Sequence, residues 1–165
     1  VTVLPPTLVS ERLRCERFGA AHVTELALLD TDPRVQATIF GHTYTLAETR
    51  ERARRRVAMW IDYGYGDYVA RLVDGEFIGC GGIFPSDLPD AIAVGYALRP
   101  SYWGFGYATE LCAALTVAAL SLQRADVVAI VLEGNTASRR VLEKNGYTLI
   151  GPNADDAGTV LYRYG

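Results

Sequence analysis

Lysine is nearly missing from this chain: of 16 basic residues only Lys144 is a lysine, a bias of base composition rather than of chemistry. There is no basic surplus either, the net charge being −3, so nucleic acid is not an expected partner. Cysteine is scarce. Cys15, Cys80 and Cys112 are widely spaced and form no CxxC pair, which argues against a disulfide framework or a zinc site and fits a reducing cytoplasm; no metal is expected. No apolar run approaches the ~18 residues of a membrane span, and no charged-then-apolar leader opens the chain, so no membrane partner is expected. What is present is ordinary for a globular protein: 165 residues, half hydrophobic and about a fifth charged, read as one domain over 1–165.

Taken in order, weak alternation predicts a first strand over Leu8–Phe18 with Leu13 and Cys15 inward. Ala20–Leu29 reads as a helix burying Leu26 and Leu29, and Asp30–Pro33 as a turn before a short piece ending near Phe40. Leu46–Ile61 is a clearer helix, with Leu46, Ala53, Val57, Trp60 and Ile61 on one side and Glu48–Arg52 and Glu51–Arg55 at i,i+4. Its arginines at 52 and 54–56 read as a solvated face. Tyr63–Tyr68, aromatic and glycine-rich, is either a flap over a ligand or a turn packed on the core edge. Asp74-Gly75 between Val69–Val73 and Phe77–Phe84 signals a hairpin, and Gly79, Gly81 and Gly82 mark a bulge or a close backbone neighbour.

The chain is organised around one strand, one turn and one helix. Ala91–Leu98 is an apolar, β-compatible run, Arg99–Gly106 a glycine-containing turn, and Ala108–Leu122 a helix with Leu111, Leu115, Ala118, Ala119 and Leu122 at helical spacing. Together they aim backbone N–H groups and a helix N-terminus at one point, a ready anion site that Gly104 and Gly106 leave open. Val127–Leu132 reads as a strand buried on both faces, parallel to the first through a right-handed crossover. Asn135 N-caps a helix over Thr136–Asn145, Gly146 caps its far end, and Tyr147–Ile150 and Thr159–Tyr164 close the sheet.

The series G-Y-A-L-R-P-x-Y-W-G-x-G-Y-A-T-E, then a buried strand, then N-x-x-S-R-R-V-L-E-K-N-G-Y resembles the GNAT N-acetyltransferases. It is similar to the branch of ribosomal-protein N-terminal acetyltransferases, whose usual start Ser10–Arg14 also resembles, and the likeness runs from about Leu8 to Tyr164. The resemblance implies an α+β fold: a mixed, mostly antiparallel sheet flanked by helices, with a parallel strand pair splayed at the cofactor site. It implies acetyl-CoA as co-substrate and a primary amine, on a protein N-terminus or a small molecule, as acceptor. Backbone groups of Tyr96, Ala97 and Leu98 would pair with the pantetheine arm. Trp103, Gly104, Phe105, Gly106, Tyr107, Ala108 and Thr109 would hold the pyrophosphate, and Asn135 would touch the cofactor beside its capping role. The Leu98 amide is the family-pattern oxyanion donor. The fold often dimerises, so a homodimer is an open expectation.

Two positions depart from the pattern. Leu142 stands where many relatives place a tyrosine as the acid for the leaving thiolate; the resemblance makes Ser138 the candidate substitute, as general acid or cofactor contact, against a plain helix-surface serine. Ala93 stands where relatives often carry a glutamate base; Asp87, Asp90 and Glu133 do not inherit the role by position, which leaves a water relay. His22 and His42 have the right chemistry for a base but read as surface residues, and Cys112 and Tyr147 as packing. These departures keep a second reading open, a non-catalytic acyl-CoA-binding module. A different phosphate binder would need a Walker lysine or a full GxGxxG, and the turn has neither.

Overall fold

The computed structural model describes residues 2–165. The chain opens with a hairpin, β1 (Thr7–Val9) and β2 (Leu13–Arg17), where alternation alone predicts one strand. Polar Ser10–Arg12 makes the turn, and the Ser10 N–H donates to the Leu13 carbonyl at 3.1 Å. A 3-10 turn over Ala20–His22 leads into α1 (Val23–Asp30). Next come α2 (Pro33–Gln36), started by the Asp32 cap, and α3 (Leu46–Tyr63). A capping box of Thr45 and Glu48 starts α3, and Gly64, at φ 76°, ends it in the left-handed region.

The hairpin β3 (Asp67–Leu72) and β4 (Phe77–Pro85) turns at Asp74-Gly75 as its dipeptide predicts. Then come β5 (Ala91–Leu98), α4 (Tyr107–Leu120), β6 (Asp126–Leu132) and α5 (Thr136–Lys144). The last hairpin is β7 (Tyr147–Pro152) and β8 (Thr159–Tyr164). The described strands form one sheet in the order β1-β2-β3-β4-β5-β6-β8-β7, in which only the β5–β6 pair is parallel. The mixed, mostly antiparallel α+β architecture is therefore the one implied by the resemblance.

Helices cover both faces. On one, Leu111, Leu115 and Ala119 of α4 and Leu142 of α5 join Ile78, Val94 and Val127 of the sheet. On the other, Leu26, Leu29, Val35 and Ala53 of the early helices pack with Val69 and Cys80. The β4 glycines permit this closeness. A Cβ on Gly79 would stand 2.2 Å from the Ala97 carbonyl oxygen, one on Gly81 2.8 Å from Leu115, and one on Gly82 2.8 Å from the Asp67 carboxylate. They mark close neighbours and a bulge as well: Ala70 faces Gly79 but Arg71 faces Phe77, which leaves Ile78 of β4 as the extra residue beside Gly79.

Several expectations are corrected. Leu46 and Ile61, at the ends of α3, are 58% and 73% exposed because the buried face of the helix runs through Thr49, Ala53 and Trp60, to one side of both. The α3 arginines are not uniformly solvated: Arg52 pairs with buried Asp30 at 2.8 Å rather than with Glu48, and Arg56 with buried Asp67 at 2.7 Å. Tyr63–Tyr68 is no flap, since Tyr65 and Tyr68 are buried and β3 begins inside the stretch. In β6, Ile130 is exposed, so that strand is not buried on both faces throughout. His22 is not a free surface group, because its Nδ1 accepts the Gly19 N–H at 2.8 Å. Among the described residues no helix is long and apolar enough to cross a membrane.

Candidate active site

The parallel pair is brief. β5 and β6 pair only from Ala91–Asp126 to Ala93–Val128, and beyond Ala93 they part. On its other side β5 stays in register with β4 through Leu98, and the Arg99 N–H donates to the Ile78 carbonyl at 2.8 Å. Hydrogen-bonded pairs alternate in an antiparallel ladder, so Ala97 is bonded to Cys80 while Tyr96 and Leu98 turn their N–H and C=O groups toward the gap. Of the three residues expected to offer backbone there, Ala97 is thus committed to β4. At the mouth of the gap the Trp103 indole Nε1 donates to the Leu98 carbonyl at 2.8 Å, leaving the Leu98 N–H as that residue's open group. Ala93, at the last paired position, brings no acid to the point of splaying. Asp90 lies at the opposite, N-terminal end of β5, where its carboxylate accepts the Ala125 N–H.

The turn after β5 forms a cradle. Gly104 and Gly106 adopt φ 82° and 79°, and Gly106 caps α4 without a side-chain acceptor, so the first-turn N–H groups of Tyr107, Ala108 and Thr109 have no side-chain cap. They carry the positive end of a 14-residue helix. Around Gly104 a Cβ would meet no atom within 4 Å, which leaves that side open to an incoming group. Phe105 lies 62% exposed on the same turn.

A clasp missed by sequence reasoning holds this turn. Glu110 of α4 accepts from the Ser10 hydroxyl at 2.5 Å, the Arg12 amide at 2.7 Å and the Arg12 Nε at 2.7 Å. The Arg12 guanidinium also donates to the Phe105 carbonyl at 2.9 Å and lies over the Tyr107 ring. Partial burial opposes the Glu110 charge, but the Ser10 and Arg12 donors outweigh it and hold its carboxyl below the usual range. The only trace in the sequence is the Ser10–Arg14 stretch; nothing in it pairs that stretch with a glutamate 98 residues away.

Across the gap, Asn135 caps α5. Its Oδ1 accepts the Ser138 N–H at 3.1 Å, and its Nδ2 donates to the Thr38 carbonyl at 3.0 Å, tying the segment after α2 to the end of β6. Thr38, Leu132, Gly134, Asn135, Thr136 and Gly158 line a cavity of about 620 Å³ at this end of the sheet. The Ser138 Oγ stands 3.1 Å from the Tyr96 hydroxyl. Tyr96 thus brings a ring hydroxyl to the site as well as the main chain expected from the sequence. Leu142 is fully in the core, so the helix position where relatives place a tyrosine brings no polar group here. Cys112 is buried and its thiol is pushed up to about 12, too high for a nucleophile. His42 sits in an exposed aromatic group, 4.8 Å from the Tyr44 ring.

The chain is similar to known proteins in sequence and in fold. The family described as "Acetyltransferase (GNAT) domain" matches residues 12–148. The FsC-acetyl coenzyme A-N(2)-transacetylase of Aspergillus fumigatus is 30% identical over 159 residues, 87% of this chain; the match spans 65% of that relative's length. An acetyltransferase of Agrobacterium tumefaciens, known by crystal structure, is 30% identical with a TM-score of 0.85, over 100% of this chain and 97% of that one. The RimL ribosomal L7/L12 alpha-N-protein acetyltransferase in complex with coenzyme A shares the fold at 22% identity and a TM-score of 0.77, over 98% of this chain and 97% of that one. The splayed strand pair, the open helix N-terminus beside it and the family match together place the chain in the GNAT acetyltransferase family.

Proposed function

We propose that this protein transfers the acetyl group of acetyl-CoA to a primary amine by direct attack in a ternary complex. The observation that carries this reading is the gap between β5 and β6, lined by the free edge of β5 and continuous with the α4 cradle. A pantetheine arm, itself an amide chain, pairs with the outward N–H and C=O of Tyr96 as an added strand, and the pyrophosphate takes the N–H groups of Gly104–Thr109. The Aspergillus relative is named for acetyl coenzyme A, and RimL is known in complex with coenzyme A. The acceptor is the amine of a protein N-terminus or a small molecule, seated from the cavity beside Thr38 and Thr136.

The reaction needs three services. The neutral amine attacks the thioester carbonyl carbon, the resulting oxyanion takes the Leu98 N–H, and the C–S bond breaks as the sulfur receives a proton from the Ser138 hydroxyl. The ammonium proton leaves through water, because Ala93 provides no base, and a proton returned by the same water restores the Ser138 hydroxyl. Alignment of the two reactants in the gap supplies much of the acceleration. The missing base at Ala93 and the leucine at 142 are the observations that favour binding without transfer.

The test is free-thiol release from acetyl-CoA against N-terminal peptides, polyamines and aminoglycosides, beside a calorimetric titration of acetyl-CoA alone. Amine-dependent thiol release supports transfer; tight binding with no turnover on any amine supports the binding module. Ser138→Ala is expected to lower turnover roughly a hundredfold, the lower end for a lost general acid, with acetyl-CoA affinity unchanged. Arg12→Ala is expected to weaken acetyl-CoA binding about tenfold by freeing the Phe105 carbonyl and removing a cation beside the cradle. Equal affinity in that variant would leave the clasp structural.

A further inference from the structure

Leu142 leaves the site without its usual phenol on α5, yet a phenol arrives from the other strand. Tyr96 projects from β5 on the face covered by α4 and α5, its Cβ close over Gly81, and is packed against the main core. Its hydroxyl stands 3.1 Å from the Ser138 Oγ and 3.4 Å from the Ser138 carbonyl oxygen. The pair therefore bridges the splayed elements, one hydroxyl from β5 and the other from the helix after β6.

Burial holds the Tyr96 phenol protonated, raising its pKa well above the ordinary value against the smaller opposing effect of the Ser138 bond. A protonated phenol has one hydrogen to give, and the Oγ is the better placed of its two acceptors. A serine hydroxyl has one hydrogen of its own. Once its oxygen accepts from Tyr96, that hydrogen turns away from the ring, into the gap. The Asn135 Oδ1 bond to the Ser138 N–H holds the backbone beneath it. We infer that Tyr96 is a positioning residue for the reaction: its hydroxyl fixes the Ser138 hydroxyl with its hydrogen directed at the departing sulfur. The inference rests on the acid role proposed above for Ser138.

The experiment is a double-mutant cycle of Tyr96→Phe and Ser138→Ala, reading turnover at saturating substrates, acetyl-CoA affinity by calorimetry and thermal stability. Phenylalanine keeps the ring and its packing, so the fold is preserved. The expected result is a roughly tenfold fall in turnover for Tyr96→Phe, the worth of one directed hydrogen bond, with acetyl-CoA affinity unchanged. The double variant should be no slower than Ser138→Ala alone, because without Oγ there is nothing left to orient. Wild-type turnover in Tyr96→Phe, or a fall that multiplies onto that of Ser138→Ala, overturns the inference; so does lost acetyl-CoA affinity, which would make the hydroxyl structural. If Ser138→Ala itself turns over at the wild-type rate, the acid assignment has failed, and that outcome is distinct because it is read before Tyr96 is changed.

Discussion

Gly106→Val should abolish measurable acetyl-CoA binding, weakening it by roughly a hundredfold or more. The backbone at Gly106 sits at φ 79°, where a β-branched residue is a genuine outlier, and a Cβ there would already lie 3.4 Å from the Arg12 guanidinium. Valine acts in two ways. It pulls the turn toward negative φ, rotating the N–H groups at the start of α4 away from their common point, and its methyl groups occupy the approach to them. Each charge-assisted bond from an amide to a phosphate oxygen is worth about 1.5–3 kcal/mol, so losing two accounts for at least that hundredfold. Backbone strain alone costs about 1–2 kcal/mol of stability, and a control separates it from the binding loss. Gly41 has φ 77° and open space around its Cβ position, so Gly41→Val carries the same strain in an exposed loop. Calorimetry should find acetyl-CoA affinity intact in that variant and lost in Gly106→Val. Equal affinities in both would remove the cradle assignment.

The contrast between the cradle and its surroundings shows what a sequence makes visible. The run from Ala91 through Lys144 is legible because each signal in it is local: a β-compatible apolar strand, glycines at the turn, helical spacing in α4, and a cap at Asn135 three residues before the N–H it accepts. The same locality hides the clasp and the hydroxyl pair. Arg12 and Glu110 are 98 residues apart and Tyr96 and Ser138 are 42, and no periodicity reports on such distances. The first hairpin is lost because Ser10–Arg12 is polar enough to continue an alternating strand as readily as to turn it. Leu46 and Ile61 fit the apolar stripe of α3, but that stripe is centred to one side of the buried face, which Thr49, Ala53 and Trp60 form, and Ile61 lies about 100° around the helix from Trp60. The arginine run on that helix is the least legible feature, since its partners come from α1 and β3.

That run leads to the largest expected effect on stability. Asp67 is 2% exposed at the start of β3, its carboxylate over Gly82, and Arg56 meets it at 2.7 Å. The Arg56 side chain is 19% exposed overall, but its Nη1 is sealed from solvent and has no well-aligned hydrogen bond among the described residues. Burial raises the Asp67 carboxyl above its ordinary range, against the pull of Arg56 and Arg52. Two charges removed from water are tolerable together and costly apart. Arg56→Ala is therefore expected to destabilise the fold by about 3 kcal/mol, the lower end for a broken buried pair because the arginine stem already touches water. For a chain of this size that lowers Tm by roughly 10 °C. The pH dependence gives the cause. Without Arg56 the native pKa of Asp67 climbs further above its unfolded value near 3.9, so the native state holds a proton that the unfolded state has released. The variant's deficit relative to wild type should then shrink as pH falls from about 8 toward 5. Asp67→Asn breaks the pair from the other side and leaves a guanidinium that does not titrate, so its deficit should stay level across that range. Parallel melting curves for the two variants decide it: a deficit in Arg56→Ala that ignores pH would mean lost packing by the arginine stem, not a stranded carboxylate, is what α3 contributes at this position.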